Sequence, residues 1–539
     1  MEKVNGRKPR LLALAASLAA PLLAAPAQAA PQGEALVNSK CITCHAPAED
    51  GQLARIGDSR RTPEGWDMTV ARMIISHGVK LSADERAAVV KHLADTRGLA
   101  PQETDGYRYL IERDFNRVES VQGEAKLAFD TCARCHSYGR IALQRRTESD
   151  WAKLPHYHVG QYPVIEIQAG GRDRNWWELA TTQVPAILGK LYPNDSGAWQ
   201  QWQQRERASA AGTWRFVGHR PGRGAYEGVA TIEADRAGAD RYKVKFQFDY
   251  ADGQRETAEG EAILYTGYEW RASVKQGGMD VRQVFTLSPD GQTLSGRWYE
   301  NGNDAIGGRL LAARSGNGSA ERLLAVEPTH IKAGTTQRVT LYGNGLSGDV
   351  NLGDGITVAR VVERAAGKVV VEARADGAGK DGVRAAAVGN ARLQQGLALY
   401  RNVDYVAVEP EQAMAVVGGG KGPLPKVPVQ FESVGYAFGP DGKQGTADDI
   451  RLGYFPATWS MANANAFAEE MQDTTYAGTL RTDGLFIPGD AGPNPKRRFG
   501  TNNAGELVVT ATVDDAGRKL SASKHLIVTL QRWNDPPLR

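Results

Sequence analysis

Apolar and polar positions follow two rhythms along this chain. Beyond about residue 205 the period is two, the mark of half-buried strands. "RYKVKFQFDY" alternates in this way. It stands among "AYEGVATIEAD", "GEAILYTGYEWRASV", "VRQVFTLSPDG" and "TLSGRWYENG", runs rich in β-branched and aromatic residues and separated by Gly, Asp and Asn. "SPDG" is a turn signal. A meander of about eight strands from Thr213 to Ala313 predicts a small antiparallel barrel or sandwich, with the barrel preferred. Before residue 205 the rhythm is helical. "LSADERAAVVKHLADTRG" (Leu81 to Gly98) is amphipathic, with Ser82 as cap, Glu85 three residues on and Gly98 as stop.

After the barrel, "SGNGS" (Ser315 to Ser319) is linker-like. The strands from "LLAVEPTHIKAGTTQRVTLYGNGL" predict an immunoglobulin-like sandwich ending near Tyr405. "VAVEPEQAMAVVGGGKG" opens another, with "GGGKGPLPKVP" (Gly418 to Pro428) as an early loop and "LVVTATVDD" and "HLIVTLQRW" as late strands. "GPDGKQGTADDI" (Gly439 to Ile450) has the acidic density of a calcium loop but lacks full EF-hand spacing and its terminal Glu, so a turn with solvated acids is expected. "NPKRRFG" (Asn494 to Gly500) reads as a solvated basic loop. The β region offers no nucleophile–base pair, and no catalytic residue is assigned to it.

The chain begins differently. Lys3, Arg7, Lys8 and Arg10 precede the apolar run Leu11 to Ala25, and small residues follow at Ala27 to Ala29. This order predicts an export signal cleaved near Ala29 or Ala30, hence a periplasmic protein. The run is short for a membrane span and Pro21 interrupts it. Charged residues make up 24% and the net charge is +3, which gives no reason to expect nucleic acid.

All four cysteines fall in "CITCH" (Cys41, Cys44, His45) and "CARCH" (Cys132, Cys135, His136). Cys-x-x-Cys-His is the attachment signature of c-type haem: two thioether bonds, with the His as proximal iron ligand. Disulfides or a zinc site would not explain a His after both second cysteines. The repeat reaches upstream, where "GEALVNSKCITCH" matches "GEAKLAFDTCARCH", and downstream, where "RRTPEGWDMTVARM" (Arg60 to Met73) matches "RRTESDWAKLPHYH" (Arg145 to His158). Residues 31–205 are therefore expected to form an all-α dihaem cytochrome c domain of two units, about 31–105 and 106–205. Residues 1–30 are the signal. Three all-β domains follow at 206–318, 319–406 and 407–539.

The echo also selects distal ligands. Met73 would close the first haem and His158 the second, with His77 or Met68 as alternatives in the first unit and His156 in the second. His92, on the covering helix, reads as a surface or satisfied residue. Pro155 argues against regular helix around the second candidates. Thioether ligation raises the potential relative to two imidazoles, so electrons are expected to run from the second haem to the first.

Two haem units followed by three β domains on an exported chain resemble the α subunit of quinohaemoprotein amine dehydrogenases. The resemblance implies a periplasmic heterotrimer. A β-propeller subunit and a small subunit carrying cysteine tryptophylquinone would be the partners. The quinone would oxidise primary amines to aldehyde and ammonia. Electrons would then cross the dihaem subunit to an external small cytochrome c or cupredoxin. The other readings are a stand-alone dihaem electron carrier with β binding domains, and a dihaem peroxidase.

Overall fold

The computed structural model describes residues 33–530 apart from 50, 115–116, 135, 162–172, 236–239, 317, 366, 421 and 423. The expected export signal and Cys135 lie outside the described residues.

Up to Gln204 the chain is helical apart from two short strands. Thr62 starts the Pro63–His77 helix by accepting from Gly65 N at 3.2 Å, and Gly78, at φ 72°, ends it with its N–H on Met73 O. The Ala83–Thr96 helix carries the expected capping box: Glu85 N to Ser82 Oγ at 3.1 Å, and Ser82 N to Glu85 Oε2 at 2.8 Å. Its apolar stripe buries Val89, Val90, Leu93 and Ala94. The helix stops at Thr96 rather than running to Gly98. Gly98 has another task. A Cβ there would lie 2.3 Å from Ala94 O and 2.8 Å from Thr266 of the barrel, so the close approach of the two regions requires glycine.

The two short strands, Ser59–Arg61 and Gln144–Arg146, are the start of the two echoes. They pair antiparallel, Ser59 to Arg146, Arg60 to Arg145 and Arg61 to Gln144. The duplication thus generates a pseudo-two-fold ribbon between the units, an element that the expectation of an all-α region omits.

Eight strands follow as a sequential meander from Gly212–Arg220 to Asn303–Ser315, and the last pairs with the first to close a barrel. Arg241–Tyr250 turns Tyr242, Val244, Phe246, Phe248 and Tyr250 inward at alternate positions. With Trp214, Trp270 and Trp298 they fill the interior. Next come two four-stranded sheets that share a core of Val339, Leu341, Val371, Val388 and Leu399, and then a region of sheets of two to four strands around Phe431, Phe486, Leu507 and Leu526.

Two expectations here meet different outcomes. In the Gly439–Ile450 turn, the Asp449 carboxylate accepts from Gly439 N, Gly445 N, Thr446 N and Tyr405 OH, so the turn's own donors hold that acid. In "NPKRRFG", Arg497 is 4% exposed and bonds Asp473 and the carbonyls of Met471, Asn502 and Ala504. It is a buried strut rather than part of a solvated loop.

The barrel is tied to the helical region by Arg271–Glu64 at 2.6 Å and Arg108–Glu269 at 2.8 Å. It meets the last region through His219, whose Nε2 lies 2.8 Å from Glu432 and whose ring stacks on Tyr454 at 4.0 Å. Beside this joint, burial pushes the Glu327 carboxyl up to about 7, with His219 pulling it the other way. A folded value above the unfolded value of about 4.3 means that stability is fully present below about pH 4. That stability is lost as the pH rises through about 7. Glu327→Gln is expected to flatten this loss in thermal melts taken across the window. A slope identical to that of the unaltered chain would contradict the assignment.

Candidate haem sites

Each echo spends its residues in the same way. Thr62 and Thr147 each accept, at 3.2 Å, the N–H three residues on. Trp66 Nε1 donates to Arg97 O at 2.8 Å, and Trp151 Nε1 to Tyr192 O at 3.3 Å. The Arg61 guanidinium lies 5.7 Å from the Trp66 ring centre, and that of Arg146 5.4 Å from Trp151. Both indoles are almost wholly buried. They fix where the two following helices cross the units.

The first arginine of each pair converges on Glu103. Arg60 reaches it through Nη1 and Nη2, each at 2.8 Å, and Arg145 through Nε at 3.0 Å. Ser196 Oγ at 2.9 Å and Ala100 N at 2.8 Å complete the set. Burial raises the Glu103 pKa, but the Arg60 hydrogen bonds and the Arg145 and Arg60 charges outweigh it, and the carboxyl sits below its ordinary range. No local motif marks Glu103. The available sign was the duplicated Arg-Arg itself, since two buried guanidinium pairs require a common acceptor.

In the first unit, Val37–Cys41 forms a wide helical turn, and Cys44 N and His45 N both bond Cys41 O, at 3.1 and 2.9 Å. His45 Nδ1 meets Ala54 O at 3.0 Å. A carbonyl can only accept, so Nδ1 carries the proton and Nε2 keeps its lone pair, the tautomer a metal requires. Cys41 is half-buried and Cys44 exposed, both as free thiols, and Cys132 is half-buried. Burial, then the neighbouring Cys44, pushes the Cys41 thiol up. Met73 is half-buried, whereas His77 is exposed at the helix end. Met68 lines a cavity of about 930 Å³ that also contains His136. Met73 is not among the residues lining that cavity.

In the second unit the Lys126–Cys132 helix delivers Cys132, and His136 Nδ1 lies 2.9 Å from Ser137 O. The Glu148–Gln161 helix continues through Pro155, against the expectation of irregular chain there. Proline removes one ladder bond. Pro155 and Trp151, one turn apart, are buried together, and that packing offsets the loss. On this helix His156 is exposed, its ring edge-on to Trp177 at 4.9 Å. His158 is half-buried with Nδ1 on Leu154 O at 2.8 Å. Burial, and then the charges of Arg140, Arg146 and Arg72, hold its pKa down against that hydrogen bond. A neutral imidazole with a free Nε2 is the ligating form. His92 is part-buried and lies beside Gly33.

Free thiols, oriented imidazoles and a cavity reaching His136 fit a haem-binding chain carried on three further β-rich regions. The comparisons with known proteins give the same class. Family models match "Quinohemoprotein amine dehydrogenase A, alpha subunit, haem binding" over residues 31–199. Those for alpha subunit domains II, III and IV match 207–315, 320–401 and 406–538. The chain belongs to the quinohaemoprotein amine dehydrogenase alpha-subunit family. No curated protein matches it. Among solved structures, a redesigned β-barrel is 19% identical, covering 21% of this chain and 96% of its own, with TM-score 0.18. A mouse clustered protocadherin fragment is 13% identical over 44% and 76%, TM-score 0.16. Domains 5–6 of the S-layer protein SbsC are 13% identical over 40% and 100%, TM-score 0.15. Likenesses this slight add nothing to the fold described above. Among the described residues, no helix is long and apolar enough to cross a membrane.

Proposed function

We propose that this chain is the dihaem electron-transfer subunit of a periplasmic amine dehydrogenase. It would carry electrons from a quinone on a small partner subunit to an external cytochrome or cupredoxin. Cys41 and Cys44 would hold one haem and Cys132 and Cys135 the other, with His45 and His136 as proximal ligands and Met73 and His158 as distal ones. When bound, the haems supply reversible one-electron chemistry.

The chain's own residues do the positioning. His45 Nδ1 and His158 Nδ1 are spent on carbonyls, which presents each Nε2 and fixes each ring plane. Trp66 and Trp151 anchor the helices that bear Met73 and His158, each seven residues further along the chain. The observation that carries the reading is the pseudo-two-fold ribbon, which fits two equivalent units with one Cys-x-x-Cys-His motif in each. The two sheet-paired regions after the barrel fit an immunoglobulin-like docking role toward a propeller subunit. With all the cysteines committed to haem, the tryptophylquinone belongs on another chain. The basic and apolar stretch before residue 30 supports export.

The test is anaerobic addition of a primary amine such as butylamine to the native complex. Reduced haem bands are expected to appear within the complex and to be absent when the chain is separated from its small partners. Haem that no amine reduces in any assembly would favour a stand-alone carrier. A five-coordinate, high-spin haem that reacts with peroxide would favour a peroxidase.

A further inference from the structure

Among the positions at which the two echoes differ is the one just before the tryptophan. In "RRTESDW" the residue before the tryptophan is Asp150; in "RRTPEGW" it is Gly65. Asp150 is the ion-pair partner of Arg146, four residues before it. Arg61, the counterpart of Arg146, has lost that carboxylate. Its Nη1 instead donates to the neutral amide oxygen of Gln144 at 2.7 Å, the same oxygen that receives Arg146 Nη2 at 2.9 Å and Nε at 3.2 Å. Arg61 is 8% exposed, and its Nε is buried with no hydrogen-bond partner among the described residues. Its surroundings are Arg146, Arg72, Asp150, Tyr157, Gln144 and Trp66. Burial, and then the charges of Arg146 and Arg72, push its pKa well down.

An uncompensated buried guanidinium is costly, and a protein that keeps one generally supplies an anion. Among the described residues, the ribbon's Arg60, Arg61, Arg145 and Arg146 form ion pairs with Glu103 and Asp150 only. Arg61 lines the same cavity as His136, across the ribbon from the unit that bears it. A haem held at His136 would carry carboxylate side chains of its own, and Arg61 is placed to receive one of them.

We propose that Arg61, contributed by the first unit, is the positioning partner of a haem carboxylate in the second unit, and that Gly65 stands in its echo so that no protein carboxylate competes. This rests on the haem reading above. A Cβ at residue 65 would lie 3.0 Å from Arg61 Cβ and 3.5 Å from Thr62 Oγ1, so a side chain there meets Arg61 directly. The guanidinium keeps the haem carboxylate ionised and favours the electron that reduces the second iron. It also ties the two units together through the cofactor.

The test uses the native, haem-loaded complex, with the potential of the second haem followed spectroelectrochemically. In the unaltered protein that potential is expected to be flat between about pH 5 and pH 8, because the carboxylate stays ionised throughout. In Arg61→Gln the reduced-to-oxidised ratio at fixed applied potential is expected to fall about tenfold, about 59 mV for one electron, with a new pH dependence. Gly65→Asp retains every guanidinium and is expected to lower the potential in the same direction, and Arg61→Lys to restore most of it. The first haem should move less in every case. Retained haem with an unmoved potential in both Arg61→Gln and Gly65→Asp, equal shifts at both haems, or a pH slope already present in the unaltered protein would overturn this inference alone. Absence of haem from Cys132 would overturn it together with the reading beneath it.

Discussion

Glu103→Gln is expected to destabilise the cytochrome region by about 3–5 kcal/mol, the usual cost of removing one partner from a buried charge set. The carboxylate accepts from two arginines, a serine and a backbone amide, and the Arg60 and Glu103 side chains are 2% and 5% exposed. The amide side chain keeps the shape but has one acceptor oxygen and no charge, so Arg60 and Arg145 stay buried without an anion between them. Both units hang on this contact, because Arg60 and Arg145 are also the central pair of the ribbon. The loss should therefore appear as one transition involving both haem environments rather than as local fraying. The pH dependence has a definite sign. A folded carboxyl pKa below the unfolded value of about 4.3 gives stability that is present above that value. It is lost as the pH falls through the folded one, and the variant should lack this acid-side loss. Denaturant unfolding followed by haem absorbance and by far-UV dichroism checks both parts. A variant as stable as the parent would remove the ribbon from the account.

His158→Met is expected to raise the potential of the second haem, with the reduced-to-oxidised ratio at fixed potential rising at least tenfold, about 59 mV or more for one electron. The substitution copies the first echo, where Met73 holds the same place relative to Arg-Arg-Thr and Trp. A methionine suits the helix, and the loss of the bond to Leu154 O costs only about 1 kcal/mol. His156→Ala should leave the potential and the spin state unchanged, since that ring is exposed and edge-on to Trp177. If His156→Ala shifts the potential and His158→Met does not, the distal assignment in the second unit is wrong.

Features with a local physical cause could be read from the chain. The barrel was visible because one face of each strand is buried, which imposes the alternation in "RYKVKFQFDY". The Ser82–Glu85 cap was visible because both bonds lie within one turn. The two Cys-x-x-Cys-His motifs were visible because the covalent haem attachment proposed for them would fix their spacing. What escaped depends on residues far apart in sequence. Arg60 meets Glu103 across 43 residues and Asn194 across 134. Gly98 answers to Thr266, and Arg497 to Asp473. Pro155 misled for the same reason: local chemistry disfavours helix there, and burial beside Trp151 decides otherwise. The comparison of the echoes was the one long-range signal in the sequence. It exposed the Met73–His158 exchange at once, while the Asp150–Gly65 exchange gained meaning only when Arg61 was found buried without a carboxylate.

The most direct test of the central claim is the mass and pyridine haemochrome spectrum of the denatured, acid-extracted mature chain. Two haem equivalents that survive extraction, mapping by proteolysis to the peptides of Cys41–Cys44 and Cys132–Cys135, are the predicted result. A colourless chain with four titratable thiols, or one that releases zinc on denaturation, would contradict it.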